Sequence, residues 1–233
     1  SRHGQDSVGK STWWRWTPQM DAEVTLDSRA GNGGSNPFWA ALGVYTGDAV
    51  GRLAPVVSPS QGTSRFQALA GTTYYIAVDG LAWGSRPRQG SFRIVLNAEP
   101  RPANDHFAQR NTLSDAKLTV LADNTHASRE SGEPSHSDNR GGKSLWWTWA
   151  APGDGTLKLD TTDSTLDTLL AVYTGDSLSN LSPLVSDDES GENHSSRVDL
   201  SVQEGTQYQI AVDGKYLSRW GWTDQGQARL SLN

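Results

Sequence analysis

The chain has no cysteine and only one methionine among its 233 residues. The missing thiols exclude a disulfide scaffold, a thiolate-held metal and a cysteine nucleophile. They fit a secreted bacterial protein and a cytosolic one equally. No apolar run approaches the roughly 20 residues that a membrane-crossing helix needs; the longest, Phe38–Tyr45, already includes Gly43. Helical periodicity is also lacking beyond a couple of turns. No leader stands at the head of the chain and Ser1 takes the place of Met, so the sequence reads as a processed or cut-down piece. Net charge is -6, divided as +2 over residues 1–99 and -8 over residues 100–233. That split does not imply a uniformly acidic or basic partner; the two halves should prefer different surfaces. With no basic stripe and no base-reading motif, nucleic acid is excluded.

What is present is a repeated string of strands. Ser11-Thr-Trp-Trp-Arg-Trp-Thr17 returns as Ser144-Leu-Trp-Trp-Thr-Trp-Ala150, and Leu42–Asp48 returns as Leu170–Asp176. Gly71-Thr-Thr-Tyr-Tyr-Ile-Ala-Val-Asp-Gly80 returns as Gly205-Thr-Gln-Tyr-Gln-Ile-Ala-Val-Asp-Gly214, and Gly90–Asn97 as Gly226–Asn233. Order is preserved throughout, which predicts two copies of one domain, over residues 1–98 and 105–233. The proline-rich stretch 99–104 reads as the connector. Alternation such as Tyr208, Ile210, Val212 against Gln209, Ala211, Asp213 predicts strands, and Asp-Gly and Thr-Gly-Asp pairs predict turns. The fold class is therefore all-β: two tandem antiparallel β-sandwich domains of jelly-roll-like form. The copies are unequal. Residues 105–145 precede Trp146, but only residues 1–12 precede Trp13, so the first copy is expected to lack its opening strand or strands. Either the missing residues precede this piece in the parent protein, or another chain covers the gap.

Several motifs occur in a fixed order: Gly-Glu-Pro-x-His (132–136), Trp-Trp-x-Trp (146–149), Asp-Thr-Leu-Leu-Ala-Val-Tyr-Thr-Gly-Asp (167–176), Ser-Asp-Asp (186–188), Ser-Arg-Val (196–198) and Tyr-x-Ile-Ala-Val-Asp-Gly (208–214). This ordered set resembles the bacterial pre-peptidase C-terminal-like domains, over all of the second copy and most of the first. The resemblance implies small jelly-roll-like sandwiches appended to secreted proteases, glycoside hydrolases and large surface proteins. It also implies a non-catalytic accessory role, with calcium, collagen or polysaccharide bound by some distant relatives.

Alternation places Trp14 and Trp16 on one face of their strand and Trp147 and Trp149 on the matching face, where core packing is expected. Trp13 and Trp146 point the other way, under a loop or onto a contact surface. The surplus aromatics follow Val-Asp-Gly. Copy one has Leu81–Gln89 with Trp83, Arg86 and Arg88; copy two has Lys215–Gln225 with Tyr216, Arg219, Trp220, Trp222 and Asp224. Flat rings beside Arg, Asp and Gln suit a carbohydrate, because an indole stacks on the apolar face of a pyranose while polar neighbours take its hydroxyls. Arg86 and Arg88 suit sulfate or carboxylate groups. The alternative is that these rings staple a long loop to the protein.

An acidic loop, Asp187-Asp-Glu-Ser-Gly-Glu192, marks copy two only. With Asp167, which stands where copy one has Trp39, it offers Asp187, Asp188 and Glu189 as oxygen ligands for calcium. A solvated acidic loop has the same sequence. Gly4–Ser11 matches the phosphate-loop pattern, but a tryptophan strand follows it where a helix is required. Asn180-Leu-Ser and Asn193-His-Ser match glycosylation sequons, and beside a bacterial resemblance they are read as chance. The five histidines, His3, His106, His126, His136 and His194, show no metal-ligand spacing, and no Gly-x-Ser-x-Gly elbow occurs. Asp79 and Asp213 end matched strands and are expected to cap the turns that follow.

The sequence thus predicts a non-enzymatic binding module of a larger secreted or cell-surface bacterial protein. Polysaccharide or another extracellular polymer is its expected partner, calcium a possible ion, and parent-protein domains are expected on its N-terminal side. The alternative is a structural spacer or protein–protein assembly module of a secreted protease or surface protein, with no small ligand.

Overall fold

Alternating apolar residues bounded by Gly and Asp leave the backbone one economical way to satisfy its hydrogen bonds, which is antiparallel pairing with one face buried. The computed structural model describes residues 11–28, 40–60, 62–80, 82–83, 86–87 and 92–233. The chain divides into two compact units, Ser1–Pro100 and Arg101–Asn233.

Among the described residues unit 1 holds nine strands: β1 (Thr12–Trp16), β2 (Ala22–Asp27), β3 (Ala40–Thr46), β4 (Ala54–Ser60), β5 (Thr63–Ala68), β6 (Tyr74–Gly80), β7 (Ala82–Trp83), β8 (Arg86–Pro87) and β9 (Val95–Pro100). They form sheets of order β1-β6-β3-β4 and β5-β2-β9, with β7 and β8 as a separate ribbon. Val24 and Leu26 of one sheet meet Leu42, Val44, Ile76 and Val78 of the other in a shared core.

Unit 2 continues with β10 (Asn111–Leu113), β11 (Leu118–Asp123), β12 (Leu145–Ala150), β13 (Gly155–Asp160), β14 (Thr168–Thr174) and β15 (Ser182–Asp187). It ends with β16 (Arg197–Val202), β17 (Gln207–Gly214), β18 (Tyr216–Leu217), β19 (Trp222–Thr223) and β20 (Gln227–Leu232). Its sheets run β10-β12-β17-β14-β15 and β11-β20-β13-β16. All pairings within them are antiparallel except β10 with β12, which is parallel. Leu145, Trp147, Trp149, Ile210 and Val212 face Leu157, Leu159, Leu230 and Leu232 across the sandwich.

Seven strands of unit 1 match seven of unit 2 in order and register. Trp13 lies opposite Ala77 as Trp146 lies opposite Ala211, and Leu26 opposite Leu96 as Leu159 opposite Leu232. Among the described residues unit 1 has no counterpart of β10 or β11.

One expectation needs correction here. Trp14 is not core: it is 40% exposed, whereas its counterpart Trp147 is 2% exposed. The strand is the same but the neighbours differ, since Trp147 lies beside β10 and the face over Trp14 has no such cover among the described residues. The division between the units, Pro100 to Arg101, falls within the stretch 99–104, and both ends of that stretch are ordered. Glu99 and Pro100 close β9, and buried Asn104 donates to the Trp146 carbonyl at 3.1 Å. The outward ring of Trp146 is fully buried against Phe107, Tyr173 and His136.

Candidate functional site

The surplus aromatics of unit 2 lie on a two-stranded hairpin, β18–β19, with Tyr216 opposite Thr223 and Leu217 opposite Trp222. Its turn closes through Trp220 and Gly221 N–H, both donating to the Leu217 carbonyl at 2.9 Å, and Gly221 supplies the left-handed residue with φ +71°. Trp220 is 67% exposed and Trp222 47% exposed. Arg219 is exposed and lies 5.1 Å from the Trp220 ring centre. Tyr216 is half-buried beneath the guanidinium of Arg140, 3.5 Å from its ring centre.

So short a hairpin would not hold its shape alone. The loop before β12 holds it. Asn139 Oδ1 accepts the Tyr216 N–H at 3.0 Å, Asn139 Nδ2 donates to the Tyr216 carbonyl at 3.3 Å, and Thr223 Oγ1 donates to the Gly141 carbonyl at 3.0 Å. At the base, Lys215 N–H donates to the Asp167 carbonyl and Asp224 N–H to the Lys215 carbonyl, each at 2.9 Å.

Below the hairpin is a buried polar network. His136, fully buried, places Nδ1 2.7 Å from Tyr173 Oη and Nε2 3.2 Å from Glu133. Asp213 accepts the N–H of Gly142 at 2.9 Å and of Lys143 at 2.7 Å. It therefore clamps the loop before β12, where the sequence suggests a cap on the turn that follows it. Burial pushes its carboxyl up to about 6, against the lowering effect of His136 and the two N–H bonds. Gly141 makes the approach possible, since a Cβ there would lie 1.7 Å from Asp213 Oδ2, and Gly142 leaves room for Thr223, whose Oγ1 would lie 2.7 Å from a Cβ. Glu133, His136 and Asp213 are close enough to share an ion, but each is buried.

The acidic loop is organised around an ammonium group. Lys215 Nζ lies 3.0 Å from Asp188 and 3.6 Å from Asp167, and also donates to Glu189. Burial alone would lower the Lys215 ammonium, but its bonds to Glu189 and Asp188 outweigh burial and raise it. Burial lifts Asp167 to about 6 despite Lys215. Of the four expected calcium ligands, Asp187 is engaged elsewhere. Its carboxylate accepts the Ser190 and Arg197 N–H groups at 2.9 Å and the Ser190 hydroxyl at 2.5 Å, closing the loop. Asp167, Asp188 and Glu189 do converge, on Lys215, so a calcium ion would have to displace that ammonium.

Asp224 also differs from its expected role as a sugar contact. Its Oδ2 accepts the Asp167 N–H at 2.8 Å and its Oδ1 the Gln225 N–H at 3.0 Å, so it serves the hairpin base. In unit 1, Trp83 lies opposite Arg86 in the ribbon β7–β8. Arg88, Trp39, His3 and the phosphate-loop match through Lys10 fall outside the described residues. Asn139, Arg140 and Lys215 were not singled out as site residues by the sequence; the readable signal was the Gly141-Gly142 pair beside them.

No family model matches the chain, and no curated protein sequence does. Among solved structures, the pre-peptidase C-terminal domain of a Bacillus anthracis collagenase is similar at 12% identity, covering 59% of this chain and all of that one, with TM-score 0.35. The tandem CBM22-1-CBM22-2 domains of Paenibacillus barcinonensis Xyn10C are similar at 11% identity, covering 92% of this chain and 79% of that one, with TM-score 0.24. The CUB1-EGF-CUB2 segment of human MASP-1/3 is similar at 12% identity, covering 97% and 94%, with TM-score 0.25. The class is defined by the strands themselves: an all-β antiparallel sandwich protein, with an aromatic hairpin anchored to its second unit. No helix among the described residues is long and apolar enough to cross a membrane.

Proposed function

We propose that this chain is a non-catalytic carbohydrate-binding module of a secreted or cell-surface bacterial protein, built of two tandem pre-peptidase C-terminal-like sandwiches. Its sugar site is the β18–β19 hairpin of unit 2. One observation carries the reading: Trp220 and Trp222 stand 67% and 47% exposed on a hairpin tied down through the Tyr216 backbone on one strand and the Thr223 hydroxyl on the other. Exposed indoles gain nothing for the fold, and rings held in place lose little freedom on binding. Their faces suit the C–H face of a pyranose. Arg219 and Arg140 are placed for hydroxyl, carboxylate or sulfate groups, so acidic polysaccharides are included.

A catalytic role finds no support in the clusters of ionisable groups. Glu133, His136 and Asp213 are sealed from solvent, and Asp167, Asp188 and Glu189 are held by Lys215. Affinity electrophoresis through gels carrying neutral and acidic polysaccharides tests the reading. Retardation in at least one gel is expected, with loss in Trp220→Ala and Trp222→Ala. Retardation identical in parent and both variants, or none in any gel, overturns it.

A further inference from the structure

Two guanidinium groups flank the β18–β19 hairpin, and each rests by an aromatic ring. Arg140 lies 3.5 Å from the centre of the Tyr216 ring, and Arg219 lies 5.1 Å from that of Trp220. Both arginines are exposed, and neither forms an ion pair among the described residues. Arg101, Lys215 and Arg229 of the same unit, by contrast, face the carboxylates of Asp105, Asp188 and Asp163.

At 3.5 Å the Arg140 guanidinium lies flat on its ring. Such stacking occupies the face of the group and leaves its five N–H donors, which lie in the plane, at the edges. Tyr216 is fixed in turn, because Asn139 bonds both its N–H and its carbonyl. The fork is thus positioned before any ligand arrives, and little side-chain freedom is left to lose. A planar donor pair matches a carboxylate or a sulfate better than a hydroxyl.

Residues 100–233 carry a net charge of -8, which would repel an anion at long range. The acids at the base of the hairpin are already engaged. Asp224 accepts the N–H groups of Asp167 and Gln225, and Asp167, Asp188 and Glu189 surround the Lys215 ammonium. Asp138, exposed and two residues ahead of Arg140, makes no ion pair with it. At physiological salt the field of distant charges is screened beyond about 8 Å, so groups that touch a ligand outweigh the net charge.

The register decides what shape of ligand reaches both features. Tyr216 and Thr223 form one cross-strand pair, and Leu217 and Trp222 form the next. Successive pairs point to opposite faces. Arg140 on Tyr216 and the ring of Trp222 therefore lie on opposite sides of the hairpin, with Arg219 and Trp220 in the turn that joins its strands. A single sugar ring reaches one side only, whereas a chain crossing the turn reaches both.

We propose that the hairpin selects anionic glycan chains, and that Arg140, stacked on Tyr216, reads the carboxylate or sulfate of a sugar unit beside the one stacked on tryptophan. This rests on the sugar reading of the same hairpin. It adds the charge of the ligand, its polymeric form and the residue that sets specificity.

The test is affinity electrophoresis of the full chain through matched gels. One pair carries polygalacturonate and its carboxyl-reduced form, the other dextran sulfate and dextran. Stronger retardation by the charged member of at least one pair is expected, the first pair reporting a carboxylate and the second a sulfate. Arg140→Gln should weaken that retardation about tenfold, through loss of a charge-assisted hydrogen bond, and leave the neutral gel unchanged. Arg140→Lys should restore only part of it, because an ammonium is a point donor without a fork. Added salt should weaken the parent more than Arg140→Gln. Exchange of the Tyr216 amide should be the same in Arg140→Gln as in the parent. Equal retardation by both members of each pair, abolished in Trp220→Ala, would overturn this proposal and leave the sugar reading standing. Binding of the charged polymer that survives Arg140→Gln also overturns it. So does a loss in Arg140→Gln that is equal on charged and neutral gels or comes with faster Tyr216 exchange, since Arg140 would then only brace the hairpin. No retardation in any gel removes both readings together.

Discussion

Asn139 holds the backbone of Tyr216 at both of its polar groups, accepting the N–H at 3.0 Å and donating to the carbonyl at 3.3 Å. A side-chain amide used in this way stands in for a third strand beside a hairpin of only two residues per side. Asn139→Ala removes both bonds and should cost about 1–2 kcal/mol. Polysaccharide affinity should fall although Trp220 and Trp222 are retained, and exchange of the Tyr216 amide should accelerate. Loss of affinity with an unchanged Tyr216 amide would show that the clasp is not what positions the rings.

The exposed rings should be dispensable for stability. Trp220→Ala and Trp222→Ala are expected to leave the unfolding free energy within about 0.5 kcal/mol of the parent. Trp147→Ala removes a core indole and should cost unit 2 about 3–5 kcal/mol. Trp14→Ala, at the matching position of unit 1, should cost clearly less because the ring is 40% exposed. Denaturant melts that resolve the two units check the ordering.

Stability should depend on pH through Asp213. Its carboxyl is lifted to about 6 in the folded state, against about 3.9 in an unfolded chain. Between these values the folded state keeps a proton that the unfolded state releases. The contribution is therefore full below about pH 4 and is lost as pH rises through about 6. Asp167 acts in the same direction, while Asp187, Glu189 and Asp123, whose carboxyls are lowered, act in the opposite one. The informative quantity is the parent minus Asp213→Asn, which should fall between pH 4 and 7. A flat difference across that range would contradict the assignment.

Lys215 pairs with three carboxylates, so Lys215→Met should increase their mutual repulsion and cost about 1–3 kcal/mol near neutral pH. Protonation should relieve part of the loss, making the variant's deficit smaller at pH 5 than at pH 8. Calcium in millimolar excess should raise the melting temperature of Lys215→Met more than that of the parent, in which the ammonium holds the place. Equal shifts in the two proteins would show that the ion does not use this cluster.

Much of the architecture was legible because a strand's period is local. Tyr208, Ile210 and Val212 alternate with Gln209, Ala211 and Asp213 wherever they are placed, and the sandwich follows from burying one face. The aromatic loop was legible as a surplus, since no strand face could absorb Tyr216, Trp220 and Trp222 together. Its anchoring was not, because Asn139 and Tyr216 stand 77 residues apart and nothing local pairs them. The same holds for Asp224 and Asp187. Their carboxylates looked available for ligands and are spent on backbone N–H groups brought in by folding.

The two tryptophan strands mark the boundary most clearly. The sequence by itself determined that Trp-Trp-x-Trp forms a strand, that it recurs, and which rings share a face, because side-chain direction is a property of the strand alone. Only the tertiary structure decided that Trp147 is sealed and Trp14 is wet, that Lys215 sits among Asp167, Asp188 and Glu189, and that Trp220 and Trp222 face solvent from a clasped hairpin. Burial and charge pairing depend on which distant segments come to lie alongside, and no local pattern encodes those neighbours.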